Sequence, residues 1–321
     1  MELLQNPADR GYPADYLLAR IKGRRAGLIK DWRPFIYGTA LAGTPLPEKA
    51  SGLTKAKPRD GTGGILMREY RWVYFQMNRR LREIFYPFFL YAELRTIFAC
   101  LRRLKDKKAG ALDDLLGHSL LSDAVKKVLL VNDDLKHAVA GLERLFLSLS
   151  PGFAGLTGVL ETGGLRGVEQ RLTERFLAEA AGFSPHPVMK TFFSRIIDAR
   201  NILSLAKFLR FELKTAPAPI PGGTIPGARL REAARTKNLA TLEALVNEAA
   251  GVRPERPEPP QVERALYQGM TKWLKRTGRD PFGAAPILDY LWRCSIEAMN
   301  MNVLYDGRDV ERELIAAELV R

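Results

Sequence analysis

The chain has 321 residues, 46% hydrophobic and 27% charged, a balance that places it among globular proteins and excludes a disordered one. Its 50 lysines and arginines against 36 acidic residues give a formal charge of +14, and the excess is graded: +12 over residues 1–110, +6 over 111–279 and −4 over 280–321. That polarity fits nucleic acid, an anionic membrane surface, an ordered place between two protein partners, or no more than a solubilising surface.

In chain order, the opening "MELLQNPADRGYPADYLLAR" carries acidic residues and proline early and lacks the basic-then-apolar pattern of a signal peptide, so export is not expected. Residues 38–64 combine Gly, Pro and Lys and read as a loop, with "DGTGG" at 60–64 as a flexible turn. Next, "REYRWVYFQMNRRLREIFYPFF" at 68–89 reads as an amphipathic helix. Trp72, Phe75, Met77 and Leu81 form its inner stripe, with Arg68, Arg71, Arg79, Arg80 and Arg82 outside. Those arginines suit a solvated basic face, a phosphate backbone or lipid headgroups.

The longest apolar run is 84–92. A membrane-spanning helix needs about 20 such residues, so no crossing of a bilayer is expected, and any membrane association is expected to be peripheral. Cys100 and Cys294 have no CxxC or CxxH neighbour and read as small core residues in a reducing compartment. The stretch 122–149 shows helical period, with Ser122 as a candidate N-cap. "ETGGLRG" at 161–167 reads as a turn, while 215–227 and 253–261 are proline-rich and interrupt helices. Apolar residues recur at three and four along most of the chain, and alternating strand patterns are nearly absent. The expected class is all-α.

Motifs for chemistry are sparse. His118, His137 and His186 share no metal-ligand spacing, and neither a GxxxxGK[ST] loop nor a GxSxG elbow is present. No catalytic, cofactor or metal site is expected.

An internal repeat stands out instead. "ELRTI" at 93–97, "DARNI" at 198–202 and "EAMNM" at 297–301 share the form acidic, two residues, Asn or Thr, then Ile or Met. Their spacings are 105 and 99 residues, and Phe88, Phe193 and Trp292 each stand five positions before the acidic residue. "VEQRL" at 168–172 and "VERAL" at 262–266 echo two of the copies. Three related helical units follow, approximately 1–110, 111–214 and 215–321, the first carrying the 38–64 insertion and the third following a proline-rich linker. Asp198 with Asn201, and Glu297 with Asn300, share helical faces. A pair of this kind suits acid–base or metal work; alternatively, Glu93, Asp198, Asn201, Glu297 and Asn300 are packing devices that register neighbouring helices. Repetition favours packing, because a catalytic pair usually occurs once.

These residues carry a resemblance. The three-unit plan, "YLLARIKGRRAGLI" at 16–29, "DARNILSLAKFLR" and the C-terminal segment 283–320 resemble the C subunit of archaeal/vacuolar-type (A/V-type) rotary ATPases and ATP synthases, whose eukaryotic relative is the d subunit. Pro286, Tyr290, Trp292, Glu297, Asn300, Gly307, Ile315 and Leu319 fill the family's C-terminal pattern, whereas residues 31–70 depart from it. The resemblance implies three similar helical units in a funnel-like arrangement, acting as a non-catalytic central-stalk adaptor on the cytoplasmic side of the membrane. Its implied partners are the membrane rotor ring and the central shaft, with torque coupling ATP hydrolysis or synthesis to proton or sodium transport. It implies no cofactor and no small-molecule substrate. The alternative from composition is a basic all-α module that binds nucleic acid or another anion.

Overall fold

A computed structural model describes residues 2–37, 61–107, 112–131, 134–252, 254, 257–280, 283–307 and 309–320. Most of the 38–64 stretch lies outside the described residues, as does part of 253–261. Among the described residues the regular structure is helical, as the period of the sequence predicts, and one antiparallel bridge joins Leu4 to Leu121. The chain forms two compact units: Met1–Gly11 with Tyr70–Phe193, and Tyr12–Glu69 with Ser194–Arg321. It passes between them at Gly11–Tyr12 and within helices α3 (Gly61–Gln76) and α9 (Pro187–Arg210). The second unit holds two of the three acidic-motif copies.

The first unit is built on α4 (Arg79–Lys105), packed by α5 (Leu112–Gly117), α6 (Asp123–Val131), α7 (Leu135–Leu147) and α8 (Leu156–Phe183). Asn78 starts α4 by accepting the Leu81 N–H at 3.0 Å, a standard satisfaction of an orphan helix-start donor. Pro87 lies inside α4 and denies its turn one backbone bond. The core is aromatic: Tyr70, Tyr74, Phe85, Phe88 and Phe89 meet mostly edge-on, and Tyr91 stacks on Phe176 at 6.0 Å. The helical stretch at 122–149 divides, because Asp134 caps a new helix at the His137 N–H. Ser122 precedes α6 as expected, yet its buried hydroxyl makes no hydrogen bond, so the capping role expected from sequence is not performed by that side chain. Residues 161–167, expected as a turn, interrupt α8: Gly164 is non-helical at φ +61°, ψ −166°, so two helical runs meet at a kink there. Residues 61–64 open α3 rather than forming a turn, and Pro259 opens α12 (Pro259–Thr277), where a missing N–H costs nothing.

The second unit contains α1 (Ala14–Arg25), α2 (Arg33–Tyr37), α10 (Gly227–Thr236), α11 (Leu239–Ala250), α12, α13 (Ala285–Asp306) and α14 (Arg312–Glu318). One apolar cluster joins α9 to α10, α11 and α12 through residues such as Ile202, Leu205, Leu230, Leu245 and Val262. Another joins α2 to α13 and α14 through Trp32, Ile36, Met301, Ile315 and Leu319. At the α11–α12 contact Gly269 lies directly against the Ala250 backbone, and a Cβ there would overlap it.

One expectation needs correction. Counting an uninterrupted apolar run gave no membrane-length segment, but α4 is 27 residues long and has an 18-residue window of mean hydropathy 1.4. It is long and apolar enough by length and composition because its interior is almost free of charge on both sides of Glu93. Of that window 56% is buried within the protein, as expected of a core helix.

Candidate functional site

The repeated acidic motif performs the same local task in each copy that the structure shows bonded. In α4, Glu93 is fully buried; its carboxylate accepts the Ser119 hydroxyl at 2.8 Å and the Leu120 N–H. In α9, Asp198 accepts the Thr224 hydroxyl, the Thr224 N–H at 3.0 Å and the Ile225 N–H at 3.1 Å. The captured dipeptides, Ser119–Leu120 and Thr224–Ile225, have the same chemistry and stand 26 and 27 residues beyond their carboxylates. The partner is therefore the backbone of the connecting segment rather than a side chain of a neighbouring helix.

Asn201 and Asn300 act alike as a second pair. Asn201 Nδ2 donates to the Ile220 carbonyl at 2.9 Å while its Oδ1 accepts the Ile220 N–H at 2.8 Å. In α13, Asn300 does the same with Val320, at 2.8 Å and 3.0 Å. A carboxamide offers a donor and an acceptor side by side, so each Asn satisfies both polar groups of one backbone residue. Glu297 is buried one turn before Asn300. Asp198 and Asn201 thus fasten the proline-rich 215–226 segment at two places, and Asn300 fastens the C-terminal segment after α14. Gly223 makes room for this: a Cβ on it would collide with Asp198 Oδ1.

Burial pushes the Glu93 carboxyl above the usual carboxylate range, opposed by the Leu120 N–H, Thr96, Ser119 and Lys126. Burial also lowers the Lys126 ammonium, with Arg71 adding to it.

The five arginines predicted to form one basic face are not equivalent. Arg79 and Arg80 are exposed, and Arg79 pairs with Glu83 at 3.1 Å. Arg82 is buried, donating to the Pro7 carbonyl and to Asn6. Arg71 donates to the Ser119 carbonyl at 3.0 Å and lies over the Phe75 ring; Arg68 is half-buried in the part of α3 that belongs to the second unit.

Two features have no forerunner in the sequence pattern. Residues 3–9 form an extended strap on the first unit. The Leu3 N–H donates to Tyr86 Oη, Gln5 exchanges bonds with Leu120 and Tyr74, and the Arg79 N–H donates to Asp9. Strap, α4 and Phe183 border a cleft of ≈ 750 Å³. Its signal was the pair Leu3–Leu4, too short to show a period. In the second unit, Glu69 accepts from Arg24 Nε at 2.8 Å and Tyr290 Oη at 2.7 Å, while fully buried Asp289 pairs with Arg25 at 3.0 Å and Arg293 at 3.0 Å. This network ties α1 and α3 to α13. Burial, then the neighbouring Cys294 and Glu69, hold the Tyr290 phenol well above its ordinary range.

The three histidines sit at helix ends; His137 pairs with Asp134 and His186 Nδ1 accepts the Val188 N–H. Cys100 and Cys294 are both buried thiols, and burial pushes Cys100 up to about 12, so little thiolate is available near neutrality. Among the described residues no three of His, Cys, Asp and Glu converge in a metal-binding arrangement.

Comparison with known proteins supplies the identity of this scaffold. The family model for the ATP synthase (C/AC39) subunit matches residues 62–317, most of the chain. No curated protein matches it. The chain belongs to the ATP synthase (C/AC39) subunit family.

Proposed function

We propose that this member of the ATP synthase (C/AC39) subunit family is the non-catalytic central-stalk adaptor of an A/V-type rotary ATPase. It seats the rotor shaft on the membrane rotor ring, on the cytoplasmic side, and passes torque between the nucleotide-driven sector and ion movement. Family membership makes the chain a subunit of such a complex. The observation that best supports the finer role is the recurrence of one fastening device, Glu93 on Ser119–Leu120 and Asp198 on Thr224–Ile225, with the Asn201 and Asn300 clasps beside it. A part that transmits torque has to resist deformation, and side chains that pin connecting segments to helices stiffen the places where a helical array is softest. In this reading the three motif copies mark three related units in a funnel-like arrangement. Glu93, Asp198, Asn201, Glu297 and Asn300 serve as structural locks, and no cofactor or small-molecule substrate is involved.

Arg79 and Arg80 are the members of the basic set exposed enough to meet the ring and its lipid headgroups, where each basic residue is worth about 1 kcal/mol at an anionic surface. The nucleic-acid alternative draws no support from the structure, since burial of Arg82 and the turning inward of Arg71 break up the continuous basic face it requires.

Vesicles of native membrane depleted of this chain test the role. Add-back of the purified chain is expected to restore ATP-driven ion accumulation while leaving the intrinsic ATP hydrolysis of the detached sector unchanged. Restored hydrolysis without any change in coupling would show that the chain acts on catalysis, and the adaptor reading would fail.

A further inference from the structure

The second unit holds a small, partly open pocket of ≈ 50 Å³ beside the Asp198 fastening point, lined in part by the exposed Thr224 and Glu248. Four pieces of chain converge on it: Arg195, Asp198 and Ala199 from α9, Thr224 from the connecting segment, Glu248 and Ala249 from the end of α11, and Leu266 and Met270 from α12.

Arg195 is unusual among these residues. Its Nη1 donates to the Ala249 carbonyl at 3.3 Å and its guanidinium lies 5.1 Å from the centre of the Trp273 ring, so the fork is held in orientation from two sides. Its Nε–H is fully buried yet meets no acceptor from the protein. The obvious acceptor, Asp198, is already taken up by the two N–H groups and the hydroxyl of Thr224 and Ile225, and Glu248 is paired with Arg229 at 2.8 Å. A buried N–H without an acceptor costs about 1–3 kcal/mol, which the protein would avoid by moving Arg195 outward unless something in the cavity accepts that proton.

The charges around the site identify the ligand. Arg195 and Asp198 oppose one another, Glu248 is neutralised by Arg229, and Arg276 is the further cation acting on Arg195. A free anion would meet the Asp198 and Glu248 carboxylates, and a free cation would meet Arg195. A neutral molecule that both accepts and donates has neither conflict. The volume is large enough for about two water molecules, and polar walls with two to four partners are what a resident water requires. Thr224 Oγ, donating to Asp198, keeps lone pairs that can accept from such a water.

We propose that this cavity is a resident hydration site, in which about two water molecules accept from Arg195 Nε and bridge it to Thr224 and the acidic side chains, tying α9, the connecting segment, α11 and α12 together. The site does not depend on the adaptor reading. The motif-level fastening at Asp198 then has a solvent-mediated second layer beside its direct bonds to Thr224 and Ile225.

Crystals of the full chain grown in bromide, at a resolution that shows ordered water, test the proposal directly. Expected is solvent density within hydrogen-bonding distance of Arg195 Nε with no anomalous signal. A bromide peak there would make it an anion site, and Arg195 turned onto a protein acceptor with a dry cavity would overturn it outright. In solution, oxygen-17 relaxation dispersion counts long-lived internal waters. Ala199→Leu, which fills the cavity, and Arg195→Met, which removes the donor while keeping the side-chain length, are each expected to lower the count by about two relative to wild type. An unchanged count in both folded variants would refute the site.

Discussion

Replacing Asp198 by alanine removes one carboxylate and leaves three donors, the Thr224 N–H, the Thr224 hydroxyl and the Ile225 N–H. Asp198 is only 2% exposed and Ile225 is buried, whereas Thr224 is exposed, so the Ile225 N–H is the donor that water reaches only if the segment around 220–225 moves off α9. An unsatisfied buried donor costs about 1–3 kcal/mol, and partial re-solvation of the loosened segment caps the sum at about 3–5 kcal/mol, which is large for a single substitution. For a body of this size one kcal/mol moves the melting midpoint by about 2–4 °C, giving a fall on the order of 10 °C. Asp198→Asn keeps the shape and one acceptor oxygen but turns an NH₂ toward a donor, so its loss is expected to be intermediate. Scanning calorimetry of the full chain beside a control at the exposed Arg235–Glu232 pair, where a change below about 0.5 kcal/mol is expected, separates the two cases. If Asp198→Ala melts within a degree or two of that control, the fastening argument is wrong.

Asn201→Ala and Asn300→Ala each lose two backbone bonds made by one carboxamide and are expected to cost about 2–3 kcal/mol; unchanged melting in both would remove the lock idea. Gly269→Ala drives a methyl into the Ala250 backbone and is expected to destabilise more than its helix-propensity gain of about 1 kcal/mol can offset, read as a lower denaturation midpoint. Because burial raises the Glu93 pKa in the folded state, the stability it contributes is full below its unfolded value and is lost as pH rises through the folded one. Denaturation of wild type and Glu93→Gln from about pH 4 to 8 should therefore show wild type losing ground to the variant as pH increases, and parallel curves would contradict the shift. Charge reversal at Arg79 and Arg80 is expected to weaken retention on native membranes at low salt, and equal retention of variant and wild type would exclude that face.

The helical class was legible because period-three-and-four patterning is a local property, and the acidic repeat was legible because its three copies are nearly colinear. What the repeat binds was harder to see, since Glu93 and Asp198 reach backbone groups 26–27 residues away in segments with no periodicity of their own. A signal was present: "SL" at 119–120 and "TI" at 224–225 recur at the same offset from their carboxylates. The basic face was misread where helical spacing alone placed Arg82 outside; an extended N-terminal strap covers that side and offers it the Pro7 carbonyl. The Glu69–Arg24–Tyr290 and Asp289–Arg25–Arg293 network joins residues more than 200 positions apart, and one sequence carries no local trace of such pairing.

The central claim is a place between ring and shaft. Capturing a tagged copy of the chain from native membranes solubilised in mild detergent, followed by quantitative mass spectrometry, tests it most directly. The account predicts co-recovery of rotor-ring and central-shaft proteins in a fixed ratio that survives moderate salt. Recovery of nucleic acid, or of no membrane proteins of the motor at all, would contradict it.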